Sequence, residues 1–238
     1  MHRAFLAALL LASPAAAAEI RDAAGCEAAI AESPEAAREQ ASLWKRLGGG
    51  ADAELCEAAA LEAMGADGSA ALILTNLAEN KRRLLAPERR VSIYEHAARL
   101  WLADGRPDLA LAILDNLDRV APPRTESRLV LRARAQAAEG DHAAAAATLA
   151  AAEPGDAGAK ALRAAALRLG GDPAAARAEA DAALALAPDL PEALFEAAAA
   201  AAATGDPDTA EALWLRLIAV HPDHPLATAA RRNLAADG

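Results

Sequence analysis

The chain has 238 residues, with 24 Lys and Arg against 34 Asp and Glu, and its formal net charge is -10 at pH 7. A protein this acidic repels phosphate backbones and anionic lipid surfaces, which argues against nucleic acid as a partner. The short basic runs at 81–83 and 89–90 are predicted to be solvated helix surface and do not reverse this conclusion.

The first eighteen residues read as an export leader. Arg3 provides a positive start, Ala4 to Ala12 an apolar stretch, and Ala16 to Ala18 a small-residue cleavage site before Glu19. The alternative is an uncleaved anchor, but the apolar stretch is shorter than the roughly 20 residues that span a bilayer. Cleavage would remove Arg3 and no acid, so the charge would change from -10 to -11. Lysine is scarce relative to arginine, as in high-GC bacteria, and the expected destination is the periplasm.

Three helices are predicted after the leader, over Ala23 to Ala31, Pro34 to Leu47 and Ala51 to Met64. The chain contains two cysteines, Cys26 in the first of these helices and Cys56 in the third. In an exported protein such a pair predicts a disulfide. Two unlinked buried thiols are the alternative.

The rest of the chain continues as helices, and no strand pattern occurs. The predicted helices are Ser69 to Glu79, Pro87 to Asp104, Pro107 to Val120, Glu126 to Glu139, His142 to Ala152, Ala157 to Leu169, Pro173 to Ala187, Pro191 to Thr204, Pro207 to Val220 and Pro225 to Ala235. An insertion is expected around Asn80 to Arg90. The last helix, with Arg231 and Arg232, is predicted to be a polar cap on the end of the stack.

Glycines recur between these helices with a period near 34 residues. They are Gly65, Gly105, Gly140, Gly171 and Gly205, and each has an alanine seven residues before it and another five residues after it. Small side chains let two antiparallel helices approach to about 8 Å, and glycine ends a helix because it readily adopts positive φ. The period and the residue types predict stacked helix hairpins.

In these features the chain resembles the tetratricopeptide repeat family. The best copy is Pro191 to His224, where Leu194, Ala198, Gly205 and Trp214 are in register with the family pattern. The resemblance implies an all-α, right-handed solenoid of about five stacked antiparallel hairpins. An N-terminal hairpin would precede the array, and a capping helix would close it.

The expected organisation is a leader over 1–18, an N-terminal hairpin over 19–50, repeats over 51–224 and a capping helix over 225–238. A solenoid of this length forms one elongated domain and not two globular ones.

Catalytic and metal-binding patterns are weak. His221 and His224 flank Asp223 closely enough to hold a metal ion in principle, but they lie in an inter-repeat turn where proline and polar residues are expected for local reasons. His96 and His142 lack the paired nucleophile or carboxylate pattern of covalent catalysis. We therefore expect no enzyme activity, no metal and no cofactor.

The first helices of successive hairpins are expected to line the concave side of the solenoid. Side chains at equivalent positions would then form rows, with Arg99, Arg134 and Arg168 crossing the middle of a shallow groove. The predicted lining of this partner-binding groove is Arg99, Arg134, Arg168, Val130, Phe195, Glu95 and Leu102. Guanidinium groups bind carboxylates in bidentate fashion, so an acidic or C-terminal segment of a partner would fit. The alternative is that each arginine pairs with a neighbouring acid of the chain itself.

These expectations favour a non-enzymatic periplasmic adaptor that binds a peptide or helix of another protein, with no membrane insertion after leader cleavage. Three alternatives remain open: an accessory subunit of c-type cytochrome maturation or other envelope assembly machinery, a binder of cell-wall glycan, and an enzyme. The glycan alternative needs aromatic platforms, and the candidates for them are Trp44, Trp101, Trp214, Tyr94 and Phe195.

Overall fold

A computed structural model describes residues 20–80, 85–121, 125–151 and 156–236, and all regular structure in these ranges is helical. The helices are α1 (Ala23–Glu32), α2 (Pro34–Arg46), α3 (Gly50–Ala63), α4 (Asp67–Asn80), α5 (Pro87–Ala103), α6 (Pro107–Val120), α7 (Glu126–Ala138), α8 (His142–Leu149), α9 (Ala157–Leu169), α10 (Pro173–Leu186), α11 (Pro191–Ala203), α12 (Pro207–Val220) and α13 (Pro225–Ala236).

Each helix predicted from the sequence is present, and the ends differ by less than one turn. The largest difference is in α8, which ends at Leu149. The predicted leader lies outside the described residues, as do residues 81–84 of the predicted insertion between α4 and α5.

The chain divides into two compact units, and the division falls between Ala66 and Asp67, inside the first predicted repeat. In the first unit, α2 packs against both α1 and α3. A disulfide joins Cys26 of α1 to Cys56 of α3, with their Cα atoms 5.9 Å apart, so the predicted pairing is confirmed. Cys26 is the buried residue of α1, and Ile20 just before the helix is buried in the same cluster. The disulfide therefore joins α1 covalently to α3, beside the packing of α1 on α2.

The second unit is a sequential stack of helix hairpins, as the repeat period predicts. Each helix packs against the next along the chain, and the first helices of successive hairpins also meet, α5 with α7 and α9 with α11. Helix α13 packs against α11 and α12, which is the place that the first helix of a further repeat would occupy.

The periodic glycines form the turns. Their φ angles are +73° at Gly65, +72° at Gly105, +85° at Gly140, +90° at Gly171 and +82° at Gly205. In the last of these turns the N–H of Asp206 donates to the carbonyl of Ala201 at 2.9 Å, which closes α11. The carboxylate of Asp206 accepts the N–H of Thr209 at 3.3 Å and opens α12. One residue thus ends a helix with its backbone and begins the next with its side chain.

Alanine fills the contacts between the helices. In the last hairpin, Ala198 and Ala201 of α11 meet Ala210 of α12, and all three are essentially inaccessible to solvent. Leu194, Trp214 and Leu217 are the large buried side chains of the same cluster. Small residues at the crossings bring the helix axes close together, so the solenoid is packed tightly with few large side chains.

Candidate partner-binding surface

Arg99 on α5 and Arg134 on α7 are exposed at equivalent positions, each six residues before its turn glycine. Because α5 and α7 pack side by side, their axes are separated by about 8 to 10 Å. Neither guanidinium has an ion pair or hydrogen bond with any residue that the structure describes. We call the exposed side of α5, α7, α9 and α11 the first-helix surface.

Arg168 on α9 differs from these two arginines. Its Nε donates to Oε2 of Glu196 at 2.7 Å and its Nη2 donates to Oε1 at 3.2 Å. Glu196 lies on α11 and only 7% of its surface is exposed, so this bidentate pair ties α9 to α11. Arg168 therefore pairs with an acid of the chain itself, which was the alternative to partner binding.

Glu95 on α5 also has an internal role. Its carboxylate lies 3.8 Å from Nε of Arg128 and accepts the hydroxyl of Thr125 at 3.4 Å. The side chain is 17% exposed. Glu95 therefore neutralises a buried cation of α7, and is poorly placed to contact a partner.

A buried ion network joins α5, α6 and α7, and the sequence analysis did not identify it. Arg128 is 2% exposed, lies 3.3 Å from Asp118, and donates to the carbonyl of Ala121 at 2.7 Å. Arg132 donates to Asp118 at 2.8 Å and pairs with Asp115 at the same distance. The spacing of the charges could have indicated this network. Two arginines of α7 are four residues apart and two aspartates of α6 are three apart, and both spacings place side chains on one face of a helix.

Nearly all basic residues of the first helices of the second unit are engaged in this way. Those with partners are Arg89, Arg90, Arg128, Arg132, Lys160, Arg163 and Arg168. Arg163, for example, donates to Glu179 of α10 at 2.6 Å. Against this background Arg99 and Arg134 stand apart, because their charges are exposed on one surface without a described partner.

The predicted apolar contacts are half-buried. Val130 packs against the alanine-rich cluster of α7, α8 and α9, and Phe195 packs against the cluster around Leu194 and Trp214. Leu102 is half-buried on α5. Val130 and Phe195 contribute to the core, and all three residues remain partly open to solvent.

The aromatic side chains belong mainly to the core. Tyr94, Trp214 and Trp101 are 2%, 4% and 8% exposed, and Nε1 of Trp101 donates to the hydroxyl of Thr75 at 3.1 Å. Trp44 is half-buried against the core of the first unit. Flat exposed rings on which a sugar could stack are therefore scarce among the described residues.

The two histidines considered as metal ligands make backbone contacts. Nε2 of His221 lies 2.5 Å from the carbonyl oxygen of Asp189, and Nδ1 of His224 accepts the N–H of Leu226 at 3.2 Å. Within the ranges that the structure covers, no group of three metal-ligating side chains comes together. Among the described helices, none is both long and apolar enough to cross a bilayer.

Solved structures with the same architecture include proteins described as tetratricopeptide repeat proteins. BtubC from P. vanneervenii superposes with a TM-score of 0.59 at 19% identity, covering 84% of this chain and 94% of that one. The Thermus thermophilus protein TTC0263 gives 0.58 at 24% identity, covering 76% and 97%. YrrB, described as having an unusual peptide-binding site, gives 0.56 at 16% identity, covering 87% and 97%.

The fold is therefore the tetratricopeptide repeat fold, as the sequence resemblance predicted. No family model and no curated protein sequence matches the chain. At these identities the likeness concerns the fold alone.

Proposed function

We propose that this protein is a non-enzymatic adaptor that binds a segment of a partner protein on its first-helix surface. Arg99 and Arg134 hold carboxylates of that segment, and the exposed edges of Val130, Leu102 and Phe195 contact its apolar side chains. The observation that carries the proposal is the exposure, on adjacent helices of an acidic chain, of two guanidinium groups that have no partner among the described residues.

Charge supports an acidic ligand. A net charge of -10 repels acidic partners in general, so binding of one requires a local cationic site. Arginine binds carboxylates through two parallel hydrogen bonds, and such charged bonds are stronger than neutral ones. Arg168 is excluded from this role because Glu196 already occupies its guanidinium.

Two structural neighbours offer analogies. YrrB is described as a repeat protein with a peptide-binding site, and Cut9 is described in a hetero-tetramer with Hcn1. The comparison with Cut9 has a TM-score of 0.58 at 15% identity and covers 42% of that chain. Protein binding by a repeat surface is consistent with both descriptions.

The proposed compartment is the periplasm. A disulfide supports an oxidising compartment, because such bonds are rare in the bacterial cytosol. The leader pattern over residues 1–18 points the same way. The mass of the intact protein from a periplasmic extract should lack Met1 to Ala18, and a mass that retains them would contradict export by a cleaved leader.

The surface can be tested by site-specific photo-crosslinking in the native cell. A photoreactive residue at Ala165, half-buried on α9 of the first-helix surface, should capture a distinct partner identified by mass spectrometry. The matched control is Leu215 on α12, which is 50% exposed on a second helix. Capture of the same partner from Leu215 but not from Ala165 would place the binding surface elsewhere. A partner with a Cys-x-x-Cys-His motif would favour the cytochrome maturation alternative.

A further inference from the structure

A second pair of arginines lines an open cavity where α4, α5 and α6 meet. The cavity has a volume of about 270 Å³, and its lining residues are Glu79 of α4, Arg90 and Tyr94 of α5, and Asn116, Arg119 and Val120 of α6. Sites for drug-sized ligands measure roughly 300 to 1,000 Å³, so a ligand of this cavity would be small. Arg90 and Arg99 are nine residues apart on α5, about two and a half turns, and therefore project from opposite sides of the helix.

The guanidinium of Arg90 is fixed in place by neutral groups. Its Nε donates to the carbonyl of Ala78 at 2.8 Å, and its Nη2 donates to the hydroxyl of Tyr94 at 3.1 Å. The guanidinium carbon also lies 5.3 Å from the centre of the Tyr94 ring, and Tyr94 is 2% exposed. The positive charge of Arg90 is therefore oriented by its surroundings and is not neutralised by them.

The opposite wall of the cavity is a chain of three polar side chains. Arg119 donates to the amide oxygen of Asn116, and the amide nitrogen of Asn116 donates to the carboxylate of Glu79. Neither Arg119 nor Arg90 forms an ion pair with an acid among the residues that the structure describes. The lining thus carries two positive charges and one negative charge.

Hydrogen-bond donors outnumber acceptors in this lining. A guanidinium has more N–H groups than the described contacts use at either arginine. The hydroxyl oxygen of Tyr94 accepts from Arg90, and the hydroxyl hydrogen has no acceptor in the described part of the chain. A ligand of the cavity must therefore supply acceptors and negative charge, and guanidinium groups bind oxyanions through parallel charged hydrogen bonds.

Two features of the lining favour a carboxylate over a phosphate. Glu79 places a negative charge in the cavity, and this charge repels a divalent anion more strongly than a monovalent one. Val120 is 48% exposed and offers an apolar contact to a short aliphatic group.

We infer that this cavity binds a small monovalent carboxylate with a short aliphatic group, held between Arg90 and Arg119, with the hydroxyl of Tyr94 as a further donor. A free acid and the C-terminal residue of a peptide present this same chemistry. The inference is independent of the partner proposed above, because the cavity shares no residue with the proposed binding surface.

An amide NMR titration of the isotope-labelled full chain tests the inference, at pH 8 and constant ionic strength. Butyrate should shift the amides at the end of α4, the start of α5 and the end of α6, and the shifts should saturate. Butyramide has nearly the same shape without the charge and should leave these amides unmoved. Tighter binding of N-acetylvaline than of butyrate would identify the C-terminal residue of a peptide as the ligand, and the reverse order would identify a free acid.

Variants separate the two arginines from the acid. Arg119→Gln changes an exposed side chain and should weaken butyrate binding about tenfold, the loss expected for one charged hydrogen bond. Arg90→Gln should weaken it at least as much, but it also breaks the contact with Ala78, so Arg119→Gln is the decisive variant. Glu79→Gln should tighten butyrate binding and should raise the affinity for phosphate by a larger factor, because a divalent anion gains more from the loss of a like charge.

The matched control is Arg106→Gln at the other end of α6. Arg106 is half exposed and pairs with Asp108, so its loss should leave butyrate binding unchanged. The inference is overturned if the butyrate shifts do not saturate below about 100 mM, or if butyramide produces the same shifts. It is equally overturned if Arg119→Gln binds butyrate as tightly as Arg106→Gln does, or if phosphate binds the wild type more tightly than butyrate.

Discussion

Asp118 is the residue on which the buried ion network of the second unit depends most. It pairs with Arg128 at 3.3 Å and with Arg132 at 2.8 Å, and these arginines are 2% and 9% exposed. Asp118→Ala would leave two buried cations with fewer partners, and breaking a buried pair costs about 3 to 5 kcal/mol.

The lower end of that range is expected here. In this variant Arg128 still contacts the carbonyl of Ala121 and the carboxylate of Glu95. Arg132 still pairs with Asp115. We therefore expect the free energy of unfolding of the second unit to fall by about 3 kcal/mol. With a slope of about 2 kcal/mol per molar urea, the midpoint should fall by about 1.5 M.

The matched control lies on the same helix. Asp108→Ala removes an acid of α6 whose partner, Arg106, is 3.0 Å away, and both side chains are about half exposed. Exposed pairs contribute little, so this variant should leave the urea midpoint nearly unchanged. If the two variants shift the midpoint equally, the network does not stabilise α7 and the reasoning is wrong.

Three further predictions concern the disulfide, the turns and acid stability. Replacing Cys26 and Cys56 by serine opens a loop of 30 residues and should destabilise the first unit by about 3.6 kcal/mol in the chain-entropy model. In amide hydrogen exchange, α1 should then be the first helix to exchange. Unchanged protection of α1 would contradict this prediction. Gly205→Ala forces a residue with a side chain into φ +82° and should lower the free energy of unfolding by about 1 to 2 kcal/mol, measured by heat or urea. Gly205→Asn should cost less, because asparagine tolerates this conformation. Equal losses in the two variants would argue against the conformational explanation. The N–H of Ala159 lowers the pKa of Asp156, and the hydroxyl and N–H of Thr209 lower the pKa of Asp206. The stability that these two caps provide is therefore present above about pH 4 and is lost as the pH falls further. Urea titrations at pH 3 and pH 5 would measure this loss.

The fold could be predicted from the sequence because its signals are local. A glycine at a positive φ, an aspartate that caps the next helix and a proline in the first turn each act within a few residues. The Cys26 to Cys56 pairing followed from there being two cysteines on helices that neighbour each other in a hairpin stack. The same reasoning placed Arg99 and Arg134 on one surface, because the repeat period fixes equivalent positions.

The partners of the arginines could not be predicted in the same way. Whether a guanidinium has an ion-pair partner depends on which acid of a neighbouring helix it reaches. A small rotation of one helix moves the side chain by a few ångströms, which is enough to make or break such a pair. Arg168 meets Glu196 from 28 residues away, and Arg128 meets Glu95 across 33 positions of the chain. The predicted groove lining includes both Arg134, six residues before its turn glycine, and Arg168, three residues before its own, and the structure gives the two side chains different surroundings.

The central claim is that Arg99 and Arg134 bind carboxylates of a partner, and the most direct test measures affinity for the partner identified by crosslinking. The double variant Arg99→Gln and Arg134→Gln should weaken binding at least tenfold, because each charged hydrogen-bonding pair contributes about 1.5 to 3 kcal/mol. Its thermal stability should be unchanged, because both side chains are exposed. The control removes equal charge elsewhere, through Arg38→Gln and Arg232→Gln on exposed positions of α2 and α13, and should bind as the wild type does. Equal affinity of the two double variants would contradict the account.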